Sequence, residues 1–183
     1  MTNIPEYIYG ERREVVGWIP DDQYVSMIDN MPIFCVDTLI EDSEGAFLIG
    51  ERLNRPFKGM LVTVGGKKSR NETWVEAACR NIKKDTFLDI LANERFTYVS
   101  TYQIFNDERE QNPIEKGLDT PGVFLHIKVT DEEKAKMLPV GDLREICWVS
   151  KDEILSDTTE KIYMAPIVDA IKALESLREK GVC

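Results

Sequence analysis

The amino-acid sequence predicts an α+β (or α/β) fold built on a mixed β-sheet, and three observations point there. Strand-like segments come first, then a helical stripe, then more strands and a closing helix, an order that layers helices on a sheet. The helical stripes are too few to supply the crossovers of a doubly wound nucleotide fold. The length of 183 residues, with 43% hydrophobic and 31% charged, suits one globular unit rather than a disordered chain. Residues 1–183 are therefore read as a single domain, with an extension over 1–20, a core over 21–155 and a helical C-terminal segment over 156–183.

Each element has a local reason. Pro20 before Asp21 and Asp22 is a helix-start signal, placing a short helix through about Ile28. Ile33 to Ile40 is β-rich, Asp42-Ser43-Glu44-Gly45 is a turn, and Ala46 to Ile49 returns, which makes a hairpin. Met60 to Val64 is a third strand, closed by Gly65-Gly66. From Glu72 to about Asp85, Val75, Ala78, Cys79 and Ile82 recur at helical spacing and form one apolar stripe. Phe96 to Phe105, Val123 to Val129 and Arg144 to Val149 are strand-like. The polar stretch from Asn106 to Gly122 is a loop over the site, and a final amphipathic helix starts near Pro166.

Composition excludes several functions. The formal net charge of −10, from 33 acidic and 23 basic residues, repels a phosphate backbone, so no nucleic-acid partner is expected. No apolar run approaches the ~20 residues of a membrane span, and the first residues lack a signal-peptide pattern, so a cytoplasmic location without membrane attachment is expected. Cys35, Cys79, Cys147 and Cys183 show no paired spacing, and with His126 as the single histidine a zinc site is unsupported. Most of these cysteines read as buried thiols, and His126, mid-strand, as structural or solvent-facing.

Chemistry concentrates between Gly66 and Leu88. Gly66, Glu72, Arg80, Ile82 and Leu88 resemble the Nudix box, a loop–helix–loop, with Asp85 standing for its last metal-binding glutamate. Flanking segments, above all Leu53-Asn54-Arg55-Pro56, the Gly65-Gly66 pair, Leu138-Pro139 and Trp148, are similar to the GDP-mannose mannosyl hydrolase branch of that superfamily. The resemblance implies an α/β/α sandwich around the mixed sheet, and a homodimer. It also implies Mg²⁺-assisted cleavage of a nucleotide sugar or other nucleoside diphosphate. It makes Arg52, Arg80 and Asp37 substrate-binding, Glu72 the brace of the loop, and Asp85 a metal ligand helped by the Gly65 carbonyl and Asp142. The alternative is a Nudix-like module that binds a nucleotide sugar without turning it over.

The residues agree in part. At helical spacing Glu72, Glu76 and Arg80 share one face, where a carboxylate ladder would orient a guanidinium suited to phosphate. The face bearing Ala77, Asn81, Lys84 and Asp85 offers one carboxylate, one amide and one ammonium, a poor set for a hard cation that takes oxygen ligands. The branch's catalytic histidine falls at Leu143, so Asp142 or Glu145 is the candidate base. Phe87, where the box has glycine, predicts a different exit from the helix.

Overall fold

The structure is a computed structural model that describes residues 7, 9–12, 19–91, 95–156 and 165–182. Most of the N-terminal extension and Cys183 lie outside the described residues. The elements in chain order are α1 (Asp21–Ile28), β1 (Cys35–Glu41), β2 (Ala46–Arg52), β3 (Leu61–Val62), β4 (Val64–Lys67) and α2 (Trp74–Thr86). They continue with β5 (Thr97–Asn106), β6 (Leu118–Lys128), α3 (Asp131–Lys134), β7 (Leu143–Ser150), α4 (Lys151–Ser156) and α5 (Ala165–Glu179).

One seven-stranded mixed sheet organises the molecule. The hairpin partners β1 and β2 pair at their turn end, Glu41 against Phe47, and then splay. The chain from Leu61 to Lys67 fills the opening: β3 pairs β2, while β4 pairs β1 with Asp37 opposite Gly65. The expected third strand is thus two short pieces, and Gly65-Gly66 lies inside β4 rather than beyond it. Strand β6 runs parallel to β1, β5 pairs antiparallel with β6, and β7 closes the other side on β2.

Both sheet faces are covered, as the resemblance implied. Ala77, Ala78 and Ile82 of α2 pack on Val36, Ile40, Leu48 and Val64. On the opposite face Ile154 of α4 and Ile167, Ala170, Ile171 and Leu174 of α5 pack on Leu39, Phe47, Ile49 and Phe124. Fully burying each such aliphatic side chain contributes about 1.5–3 kcal/mol, so these stripes explain the layering. Strand β6 begins at Leu118, earlier than its alternating pattern suggested, which shortens the loop before it. Helices α3 and α4 were missed because they are too short to show a period. Among the described residues no helix is long and apolar enough to cross a membrane.

For the isolated side chains, one expectation changes and one is resolved. Cys147 is exposed on β7, which among the described strands pairs with β2 alone, whereas Cys35 and Cys79 are half-buried. His126 is buried, and its Nε2 lies 2.6 Å from Glu41 Oε2. That partner makes it structural.

Candidate functional site

The site grows from the two ends of α2. Its first turn is set by a capping box: the Glu76 N–H donates to Thr73 Oγ1 at 3.0 Å, and the Thr73 N–H donates to Glu76 Oε2 at 2.7 Å. The helix therefore starts at Trp74 and leaves Glu72 in the loop, so Glu72, Glu76 and Arg80 do not form one helical ladder. Glu72 instead reaches across to Arg80, accepting from Nε at 2.5 Å and from Nη2 at 2.9 Å, a bidentate pair. Arg80 also donates to the Lys67 carbonyl at 2.8 Å and to Asn81 Oδ1 at 3.0 Å. Burial would raise the Glu72 carboxyl, but the Arg80 hydrogen bonds outweigh it and hold it below its ordinary value. This is a clamp on the loop.

At the other end, Phe87 caps the helix with φ 63, donating its N–H to the Lys83 carbonyl at 3.0 Å. The exit is the left-handed one that glycine would make, contrary to expectation. Phe can occupy it because its side chain points outward, 65% exposed, so only the backbone is strained. Asn81, buried between helix and sheet, donates to the carbonyls of Gly66 at 3.1 Å and Val36 at 3.3 Å. An ionised carboxylate could not make those bonds, so the amide here ties α2 to β1 and β4.

These ties shape a cavity of about 520 Å³ at one end of the sheet, within the usual range for a small-molecule site. Its wall includes Asp37, Arg52, Lys67, Lys84, Tyr102 and Asp142. Arg52 is steadied by the carbonyls of Pro56 at 2.8 Å and Asn54 at 3.1 Å. Lys67 lies 4.4 Å from the Tyr24 ring centre, a cation–π contact. Neither Arg52 nor Lys67 makes an ion pair with a carboxylate among the described residues.

Asp37 stands opposite Gly65, and a Cβ at position 65 would lie 1.7 Å from its Oδ1. Only glycine leaves room for that carboxylate. Its Oδ2 accepts from the Tyr102 hydroxyl, and burial pushes the carboxyl up to about 6 against the opposing pull of Tyr102 and Arg52. A cavity carboxylate with that affinity exchanges protons near neutrality.

Beside it, Lys84 Nζ bridges Asp85 Oδ1 at 3.2 Å and Asp142 Oδ2 at 3.0 Å. Asp142 Oδ1 accepts from Asn54 Nδ2 at 2.8 Å. Burial raises the Asp142 carboxyl, yet Lys84, Arg52 and Asn54 outweigh it and hold it below its usual value. Asp85 is almost fully buried, its carboxyl is raised, chiefly by burial, and its Oδ1 makes no hydrogen bond of good geometry. A divalent cation needs several oxygen ligands and neutralised neighbours. Here the two carboxylates already face an ammonium, and no three His, Cys, Asp or Glu converge among the described residues. The residues present do not fit a resident Mg²⁺.

Of the residues expected from sequence, Asp37, Arg52, Gly65 and Asp142 meet in the cavity wall, with Asp85 directly behind Lys84. Arg80 and Glu72 are not in that wall, because they are engaged with the loop and each other. Glu145 is also absent from it, exposed on the outer strand β7. Lys67, Tyr102 and Arg109 were not anticipated. Arg109 is fully buried, donates to Asp29 Oδ1 at 2.6 Å and to the Gln111 carbonyl at 3.1 Å, and so fixes the loop whose Glu110 and Gln111 reach the cavity. Its only sequence signal was a lone arginine in an acidic loop.

Comparison with known proteins agrees with this architecture. Residues 31–171 match the NUDIX domain family. Over 97 residues the chain is 31% identical to the low-salt glycan biosynthesis protein Agl8 of Haloferax volcanii, a match covering 53% of this chain and 60% of that protein. Among solved structures, the MutT protein of Methanosarcina mazei Go1 superposes with a TM-score of 0.63 at 21% identity, over 82% of this chain and 97% of that one. The NUDIX domain of Shewanella oneidensis NrtR, solved with ADP ribose, gives 0.54 at 14% identity, over 88% and 99%. The family generally works with divalent metal ions, which makes the ammonium between Asp85 and Asp142 a departure. The matched residues span the sheet, the loop–helix–loop and the cavity together: the chain belongs to the Nudix hydrolase superfamily.

Proposed function

We propose that the protein hydrolyses a nucleoside diphosphate derivative, and that its substrate is a nucleotide sugar such as GDP-mannose. The observation that carries this reading is a cavity wall that sets Arg52 and Lys67, free of carboxylate partners among the described residues, beside the raised carboxyl of Asp37. Two cationic side chains can hold the diphosphate, Arg52 in bidentate fashion. Asp37, deprotonated near neutrality and aligned by Tyr102, then takes the proton of an attacking water. Asp142 is a weaker base, since its cationic neighbours favour the ionised form, and Glu145 stands away from the cavity. The sugar specificity is supported by the likeness to the GDP-mannose branch around Leu53-Asn54-Arg55-Pro56 and by the glycan biosynthesis name of the Haloferax relative. The same branch likeness supports a homodimer. Because the side chains present do not fit a resident Mg²⁺, no step is routed through one.

The test is incubation of the purified protein with GDP-mannose and a panel of other nucleotide sugars, with and without Mg²⁺, followed by chromatography. GDP with free sugar that carries the ¹⁸O of labelled water means attack at the sugar carbon, and a nucleoside monophosphate with sugar phosphate means attack at phosphorus. Asp37→Asn should abolish either product while retaining substrate binding. A second reading, binding without turnover, is favoured by the ammonium that occupies the Asp85–Asp142 pair. In that case a nucleotide sugar raises the melting temperature and is recovered intact.

A further inference from the structure

Lys84 is the least expected charge in the site. It stands in the last turn of α2, and two carboxylates from different elements converge on it, Asp85 from the same turn and Asp142 from the turn before β7, 58 residues away. The arrangement is built on both sides. Asn54 holds the far oxygen of Asp142, and the Val140 N–H donates to the Asp85 carbonyl at 3.1 Å, drawing the second turn onto the helix end. Gly141 (φ +63) is pressed so close that a Cβ there would meet Asp85 Oδ1 at 2.9 Å. Asp85 Oδ1 is a buried oxygen whose one ion-pair partner among the described residues is this ammonium. Such an oxygen is costly to leave uncompensated.

We propose that Lys84 is the resident cation of the site, its ammonium standing between Asp85 and Asp142 where a divalent ion would otherwise be held, so that the protein binds a nucleoside diphosphate without divalent metal. An ammonium carries three donors. Asp142 Oδ2 accepts from one and Asp85 Oδ1 lies 3.2 Å away as an ion-pair partner, which leaves a donor for a phosphate oxygen, beside Arg52 and Lys67 on the same wall. A divalent ion entering the pair would have to displace the ammonium or sit within a few ångströms of it, where like charges repel strongly. The inference rests on the reading that the cavity takes a diphosphate, and its test separates the two.

GDP serves as the probe. Its dissociation constant is measured by titration calorimetry in EDTA and in Mg²⁺ for the full chain, Lys84→Gln and Lys84→Glu. Mn²⁺ binding to the nucleotide-free proteins is measured separately by electron paramagnetic resonance. The wild-type constant should agree between the two conditions to within about twofold, while Lys84→Gln should weaken GDP binding in EDTA at least ~10-fold. Lys84→Glu, which gathers three carboxylates, should take up Mn²⁺ at least ~10-fold more tightly than wild type. Loss of wild-type GDP binding in EDTA would overturn the proposal and leave the diphosphate reading intact. Mn²⁺ bound by wild type as tightly as by Lys84→Glu would overturn it too. If GDP binds under neither condition the diphosphate reading fails, and the Mn²⁺ titration alone still decides what Lys84 does.

Discussion

Strand β1 carries two carboxylates, Asp37 and Glu41, a few residues apart, and they behave in opposite ways. At the C-terminal end of β1, Glu41 is saturated: His126 Nε2 lies 2.6 Å away, Arg178 of α5 donates to the same oxygen, and Lys128 is 3.7 Å from the other. Burial would raise its carboxyl, but His126 and Arg178 outweigh that and hold it below the ordinary range. Two residues from the start of β1, Asp37 has a neutral donor, Tyr102, and a wall of cations beyond direct contact, and burial wins. A carboxylate engaged by side chains from both β6 and α5 is a structural joint. One left with raised affinity beside a cavity is available for chemistry. The difference lies in what the neighbouring strands and helices deliver, because both residues occupy the same strand.

Four measurements break or sharpen this contrast. The largest effect is expected from Glu41→Ala, which removes the carboxylate between His126 and Arg178 and leaves Arg178 with Glu175 alone. It should cost about 3–5 kcal/mol in denaturant unfolding at neutral pH, with turnover per folded molecule retained. Because the folded carboxyl lies below its unfolded value, that contribution should fade as pH falls through the folded value. A loss below about 1 kcal/mol would show that the joint is not a joint.

Asp37 should show the reverse sign. Its carboxyl moves from 3.8 to about 6 on folding, so the folded state holds the proton more tightly. Stability should therefore fall as pH rises through that window, by on the order of 3 kcal/mol. Asp37→Asn should flatten the fall, and an unchanged pH profile in that variant would remove Asp37 as the titrating group. Gly65→Ala comes next, at about 1.5 kcal/mol, since the new Cβ would lie 1.7 Å from Asp37 Oδ1 and must push the carboxylate off Tyr102. Substrate turnover should drop with it. Wild-type turnover in Gly65→Ala would mean that the carboxylate's present position is not the working one.

The smallest effect is expected from Phe87→Gly. Glycine relieves the left-handed backbone at φ 63 but loosens the unfolded chain, for a net gain of about 0.5 kcal/mol in melting experiments. Since Phe87 touches no part of the cavity wall, activity should be unchanged, which separates the strain at the helix exit from the charges one turn earlier.

The hairpin at Asp42–Gly45, the apolar stripe of α2 and the amphipathic α5 were legible because each is a short-range pattern, a turn signal or a period, that the residues carry themselves. The capping pair Thr73 and Glu76 was equally local, and its spacing would have started the helix two residues later than Glu72. Arg52 and Asp37 were legible only through the resemblance of their flanking segments. The division of the third strand, by contrast, follows from the splaying of β1 and β2, which no property of Met60 to Val64 announces.

By itself, then, the sequence determined the main strands and the longer helices, which faces are apolar, and that one loop–helix–loop holds most of the unusual charge. Tertiary structure alone decided what each charge faces. Tyr102 reaches Asp37 across 65 residues, Asp142 reaches Lys84 across 58, and Arg178 reaches Glu41 across 137. Local conformation is set by interactions between neighbours in the chain, whereas the affinity of a carboxylate for a proton or a cation depends on burial and on charges a few ångströms away. Those neighbours are brought together only when β4 slots between β1 and β2 and the helices close over both faces.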